Sequence, residues 1–265
     1  MSVITISRQF GAGAEEVALA LSEKLGYRIV GRSEVEEKTR EITSASIPES
    51  LLVERGPGII ERFTFDREIA RLLLEESVLS FAKEGRCIIL GRGGFAFLRD
   101  VPGVLNVLVV GEWEKRAEFL AGKEQISSLD ARTRIEKVYR ERRGFLSYFL
   151  ETSWGDPSHF HLTINPLDLG FEEGATLLES VVTGLELEKR FAASGEKAVR
   201  EKLGRAKVLN RSHFSLGVHP SLLSVRFTGE ETVTVWFFNV EEEKRDAVLS
   251  LVREEFPGYT VEVKG

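Results

Sequence analysis

The chain predicts an α/β protein in which a parallel sheet is wrapped by helices, followed by a small α+β unit. Three observations lead there. Strand-like apolar runs alternate with helix-period segments from the N-terminus to about residue 187. Two of those runs, Cys87-Ile88-Ile89-Leu90 and Val104 to Val110, are apolar almost throughout, as strands buried on both faces are. Beyond residue 222, two β-rich runs, a helix and a last β-rich run follow one another.

The first element, Val3-Ile4-Thr5-Ile6, is β-rich and leads into Ser7-Arg8-Gln9-Phe10-Gly11-Ala12-Gly13-Ala14. Val17, Leu21 and Leu25 then repeat at helical spacing. Strand, glycine turn and helix in that order set free amides and the positive end of a helix dipole at a strand's carboxyl edge, which suits a phosphate. Gly11 and Gly13 allow the close approach. Against the pattern G-x-x-x-x-G-K-[S/T], Ala14 stands at the lysine and Glu15 at the hydroxyl, with Glu16 beyond. An ordinary βα turn with glycines for tightness is the plain alternative.

Gly26 stops that helix and a short strand follows within Tyr27 to Arg32; Ser33 is placed as the N-cap of the next helix. Residues 43–65, with Pro48 and Pro57, read as an irregular region, either a substrate lid or a surface excursion. Asp66 to Glu84 is a helix ended by Gly85. The strand Cys87 to Leu90 ends in Gly91-Arg92-Gly93-Gly94, which puts Arg92 where α/β folds bind ligands. The strand Val104 to Val110 is followed by a helix from Trp113 to Leu120. Asp130 to Phe149 is long, helical and basic, with Arg140 and Arg143 on one face. It is either a solvated charged helix or an arginine-bearing lid over phosphates. A strand within Phe160 to Asn165 and a helix from Gly170 to Leu187 close the series.

A net charge of −6 argues against a broad nucleic-acid surface, and a lone cysteine, Cys87, excludes an internal disulfide framework. No apolar run reaches the ~18 residues of a membrane span. The expectation is a cytoplasmic protein of bacterial style, binding neither membrane nor nucleic acid.

Several segments together resemble the cytidylate kinase-like family of P-loop kinases. They are Ile4 to Gly13, Cys87 to Gly93, Leu98-Arg99-Asp100 with Pro102 and Val104, Arg142 with Tyr148, and Trp154-Gly155-Asp156-Pro157 followed by Leu162 to Asn165. The resemblance covers residues 2–183. It implies a three-layer P-loop kinase fold, ATP with nucleotide-bound Mg2+ as donor, and CMP or a related nucleoside monophosphate as acceptor. On that pattern Ser7, Arg8, Phe10, Gly11, Ala12, Gly13 and Ala14 would hold the nucleotide. Arg92 would orient the acceptor, and Arg140, Arg142 or Arg143 would stabilise the transferring group.

Departures from the family accompany these matches. Ala14-Glu15-Glu16 replaces a Gly-Arg-Glu run, Tyr139 stands where relatives carry aspartate, and Phe160-His161-Leu162 replaces Tyr-Asp-Leu. At about 2–4 kcal/mol per lost electrostatic contact, two such losses slow turnover by several powers of ten. A catalytically degenerate nucleotide-binding or scaffold protein is therefore the alternative expectation.

The domains expected are 1–187 for the kinase-like part, 188–221 for a connector and 222–265 for a small unit. Leu187 to Gly204 is a charged helix broken at Gly195, and Leu222 to Phe227 with Thr232 to Phe238 forms a hairpin through Gly229-Glu230-Glu231. A helix from Glu241 to Phe256 and a strand from Tyr259 to Val263 follow. The order is similar to that of the small BON domain. A unit of ~60 residues is small for a core of its own, so it is expected to dock on the kinase-like part or on a protein partner. His213 and His219 read as turn residues.

Overall fold

The computed structural model describes residues 2–43, 55–56, 58, 66–152 and 155–264. The proposed lid or excursion at 43–65 therefore falls almost wholly outside the described residues, as does Trp154. The strands β1 (Val3–Arg8), β2 (Arg28–Val30), β3 (Cys87–Leu90), β4 (Val104–Val109) and β5 (Leu162–Ile164) form one parallel sheet in the order β2-β3-β1-β4-β5. Helices α1 (Ala14–Leu25), α2 (Arg32–Ile42) and α3 (Arg67–Glu84) precede β3; α4 (Trp113–Glu124) and α5 (Ser128–Phe145) lie between β4 and β5, and α6 (Phe171–Gly184) follows β5.

Alternation along the buried strands produces the three layers. Val3, Ile89 and Leu108 pack with Leu74, Val78 and Phe145 on one face, whereas Ile4, Ile6, Ile88 and Val107 pack with α1 and α6 on the other. At ~1.5–3 kcal/mol for each fully buried aliphatic side chain, β1 is the anchor of both cores. Asn106 interrupts the apolar run of β4 without cost, because its Oδ1 accepts from Thr5 Oγ1 on the neighbouring strand at 2.6 Å.

Past α6 the chain runs through Leu187–Arg190 and one π-helical turn, Phe191–Gly195, into α7 (Glu196–Leu216). The expected break at Gly195 does not occur. Its backbone stays helical, at φ −65° and ψ −41°, and a Cβ there would lie 2.3 Å from the carbonyl oxygen of Pro102. The glycine serves a close approach, not a helix stop. His213 lies in the last turn of α7, not in a turn between elements.

A second sheet, β6 (Leu223–Gly229), β7 (Thr232–Phe237) and β8 (Thr260–Lys264), pairs β6 antiparallel and β8 parallel to β7, with α8 (Glu242–Glu255) between β7 and β8. Helix α7 joins the two sheets. Val199 and Leu203 enter the core of the larger sheet, while Val208 and Leu209 pack with Leu72 of α3 and the inner face of the smaller one.

Within the α3–α7 contact Asn210 Nδ2 donates to Glu76 Oε2 at 2.7 Å and to the carbonyl of Leu72 at 3.2 Å. Burial pushes the Glu76 carboxyl above its ordinary range, against the pull of Asn210. Asn210→Ala leaves that carboxyl buried without its donor, and is expected to destabilise the chain by about 3 kcal/mol. Because the folded pKa is raised, the contribution of Glu76 is most favourable at low pH and is lost as pH rises past the ordinary carboxylate range. The deficit of the alanine variant should therefore widen with pH, as thermal melts between pH 4 and 8 would show.

Two helix starts differ in their caps. Ser33 lies inside α2, whose N-cap is Gly31; the Glu34 carboxylate accepts from the Gly31 amide at 3.0 Å. Asp66 caps α3 by accepting from the amides of Glu68 and Ile69, and its carboxylate also meets His219 Nε2 at 3.2 Å. Burial opposes ionisation of Asp66, but the two amides and His219 hold its carboxyl below the usual value. A lowered folded pKa stabilises above the ordinary carboxylate value and is lost as pH falls through the folded one. Asp66→Ala should cost about 1 kcal/mol at neutral pH, with the difference shrinking in melts below about pH 4.

Candidate functional site

The carboxyl edge of the sheet gathers three glycine-bearing or basic stretches that lie far apart in sequence. The first is the turn from β1 to α1. Gly11 and Gly13 both hold left-handed backbone, at φ 79° and 77°. A Cβ on Gly13 would sit 2.3 Å from Phe171 Cε1, and one on Gly11 would sit 2.9 Å from the Arg116 carbonyl. Glycine is thus required at both, and Ala14, fully buried, opens α1 behind them.

The loop is tied down from β4 and α4. The Gly111 amide donates to Gln9 Oε1 at 3.0 Å, while Arg116 donates from Nε to the Gly111 carbonyl and from Nη1 to the Phe10 carbonyl, at 2.9 and 3.1 Å. Arg116 is buried, which lowers its pKa, and its guanidinium lies 5.2 Å from the Trp113 ring centroid. The Ala12 amide is already engaged inside the loop, donating to the Gln9 carbonyl at 3.2 Å.

The second stretch follows β3. Gly91, Arg92 and Gly93 take φ of 78°, 57° and 70°, three consecutive left-handed residues of which one is not glycine. A non-glycine residue in that region costs about 1 kcal/mol or more. Arg92 is nonetheless 1% exposed, with Nη2 donating to Glu36 Oε1 of α2 at 3.0 Å. Glu36 also pairs with Arg32 Nε.

The third is the end of α5 and the π-helical turn Leu146–Leu150 that continues it. Arg142 Nη1 donates to the carbonyl of Arg8 at 3.2 Å, and its guanidinium lies 5.7 Å from the Phe10 ring centroid. Ser7, Arg8, Arg92 and Arg142 therefore line one cavity of about 30 Å³, walled by Phe145 and Leu146. Leu146 also borders a neighbouring cleft of about 740 Å³, lined by Gln9, Tyr139, Arg143, Glu151 and Thr152, within the range of small-ligand pockets. Arg140 is exposed and lines neither space.

The acids of the first turn of α1 are each engaged by a cation. Glu15 approaches Arg8 Nε at 3.6 Å and Glu16 pairs with Lys123. The carboxylates are thus partly neutralised at the edge of an arginine-rich cavity, an arrangement able to take a phosphate group through charge-assisted hydrogen bonds.

Of the residues singled out in the sequence, Ser7, Arg8, Arg92 and Arg142 converge, Phe10, Gly11, Ala12, Gly13 and Ala14 form the loop beside them, and Arg143 stands in the adjoining cleft. Gln9, Glu36 and Arg116 were not picked out. Each works through a partner 56 to 106 positions away, and no local spacing signals it.

The profile of the Cytidylate kinase-like family matches residues 3–166. The solved structures with a similar fold include an uncharacterized protein from Eubacterium ventriosum ATCC 27560, 16% identical, covering 69% of this chain and 99% of its own, with a TM-score of 0.54. They also include the shikimate kinase from Bacteroides thetaiotaomicron, 13% identical over 69% of this chain and 98% of its own (TM-score 0.43). A sugar kinase from Janibacter sp. HTCC2649 is 15% identical over 71% and 95%, with a TM-score of 0.41. At 16% identity the likeness to the first of these is one of fold. Among curated proteins no sequence match is found.

Proposed function

The chain belongs to the cytidylate kinase-like family, and from that premise we propose that it transfers a phosphoryl group from Mg·ATP to a nucleoside monophosphate of the CMP type. The observation that carries this is the meeting of Arg8, Arg92 and Arg142, from the start, the middle and the later part of the family match, around one cavity beside the phosphate loop. Phosphoryl transfer needs positioning and charge neutralisation, which arginines and loop amides supply.

The groups present suit a polyphosphate. The amides at Gly13 and Ala14 stand at the positive end of α1, and Arg8 lies at the loop's other end. Ala14 gives no lysine, so the arginines carry that charge. Magnesium brought in on the nucleotide would add neutralising charge at the outer phosphates. Arg92 would take the acceptor phosphate, held in place by Glu36 and by its own backbone. Arg142, fixed to the Arg8 carbonyl, would meet the charge that builds between donor and acceptor. Arg143 faces the larger cleft, and Arg140, exposed, would join only from the solvent side.

A nucleotide-binding scaffold without turnover is favoured instead by one feature, the Glu15 carboxylate 3.6 Å from Arg8, which competes for the charge a phosphate would use. The two are separated by Arg142→Gln. Under the kinase proposal this variant loses about a hundred- to a thousandfold in kcat while its Kd for ATP, measured by calorimetry, changes less than tenfold. An ATP-binding chain whose variant and parent are equally inert would support the scaffold.

A further inference from the structure

A cavity of about 910 Å³ lies at the other edge of the sheet from the phosphate loop. Its walls include Val104 and Leu105, which open β4, Leu162, which opens β5, and Gly184, Leu185 and Leu187 at and just past the end of α6. Along the six residues of β4 the two edges are about 20 Å apart. Ligands of open α/β sheets bind at the carboxyl ends of the strands, so this space is separate from the phosphate-binding edge.

Its chemistry is uneven in sign. Arg99, Arg190 and His161 line it, against the single carboxylate of Asp100, in a chain whose net charge is −6. The His161 ring is oriented from within the sheet, because the Asn106 amide donates to its Nδ1 at 2.9 Å. With Nδ1 an acceptor, the neutral ring carries its proton on Nε2, which remains a donor. Apolar surface stands beside these groups in Leu162, Val181 and Leu185, the last 46% exposed.

The back of the cavity is closely packed. A Cβ on Gly103 would lie 2.4 Å from the Phe191 amide nitrogen, and one on Gly195 would lie 2.3 Å from the Pro102 carbonyl oxygen, so two backbone segments meet there with no side chain between them. A preformed space with several donors and an apolar wall is what a small ligand requires.

We propose that this cavity binds a small amphipathic organic anion, its carboxylate, phosphate or sulfonate held by Arg99, Arg190 and His161, and its apolar body against Leu162, Val181 and Leu185. The inference stands apart from the phosphoryl-transfer proposal.

The test is a fluorescence titration of the full chain with 8-anilinonaphthalene-1-sulfonate, an anionic aromatic probe. Gly184 lines the cavity and a Cβ there meets nothing within 4 Å, so Gly184→Phe is expected to fill the space, with a Tm equal to the parent's as the check that the fold is kept. A saturable component is expected that Gly184→Phe abolishes, that Arg99→Gln with Arg190→Gln weakens at least tenfold, and that Arg142→Gln leaves unchanged. Absence of saturable binding, or binding insensitive to Gly184→Phe, overturns the site. Loss in Gly184→Phe with full affinity in the double arginine variant overturns its assignment to an anion.

Discussion

Arg92→Ala is expected to lower kcat/KM for a monophosphate acceptor by about a hundred- to a thousandfold, the scale of removing one preorganised charged donor from a reacting phosphate or oxyanion. It should also lower stability, though less than the loss of a buried charge usually does. Glu36, left behind, keeps Arg32 as a partner, so about 2 kcal/mol is expected in place of the larger cost of a stranded ion. For a chain of this size that is roughly a 4–8 °C fall in Tm. Arg92→Lys should not rescue turnover, because an ammonium cannot reproduce the planar fork from the same buried backbone position. Glu36→Gln, which keeps an acceptor for Arg92 but no charge, should retain turnover within tenfold. Equal activity of Arg92→Ala and parent in steady-state assays would remove Arg92 from the acceptor site.

Gly103→Ala is expected to be strongly destabilising. Gly103 sits at φ 77°, and the added Cβ would meet the Phe191 nitrogen at 2.4 Å, the Leu187 carbonyl oxygen at 2.6 Å and the Phe191 Cα at 2.7 Å. All three are backbone atoms, so no rotamer change relieves the clash and the segment leading into α7 must shift. A cost of about 4 kcal/mol follows from overpacking added to left-handed strain, or a Tm lower by roughly 8–16 °C. Gly184→Ala, where the Cβ has open space in a helix, supplies the control and should be neutral or slightly stabilising. A calorimetric scan giving the two variants equal Tm would show that the 103–195 junction yields easily.

The parallel sheet was legible because strands buried on both faces favour apolar residues at nearly every position, and the runs of β3 and, apart from Asn106, β4 have them. The turn between β1 and α1 was legible because Gly11 and Gly13 mark left-handed backbone between a strand and a helix. Arg92 was found from its place at the end of β3, but its burial and its left-handed backbone were not visible, since they depend on Glu36 and the flanking glycines. Gly195 misled for a related reason: a glycine needed for close packing looks in sequence like one needed to end a helix. The loop supports Gln9 and Arg116, and the Glu76 to Asn210 contact beneath α7, carry no local signal that sets them apart from other polar residues on a turn or helix. What burying them required was a partner element from elsewhere in the chain, and spacing along one helix says nothing of that.

The most direct measurement is phosphorus NMR of the full chain with Mg·ATP and a mixture of the common nucleoside monophosphates. The proposed phosphoryl transfer predicts growth of ADP signals together with a new nucleoside diphosphate, fastest from CMP, and loss of both in Arg142→Gln. A spectrum unchanged at high protein concentration, in a chain that binds ATP by calorimetry, would contradict it and leave a nucleotide-binding scaffold in its place.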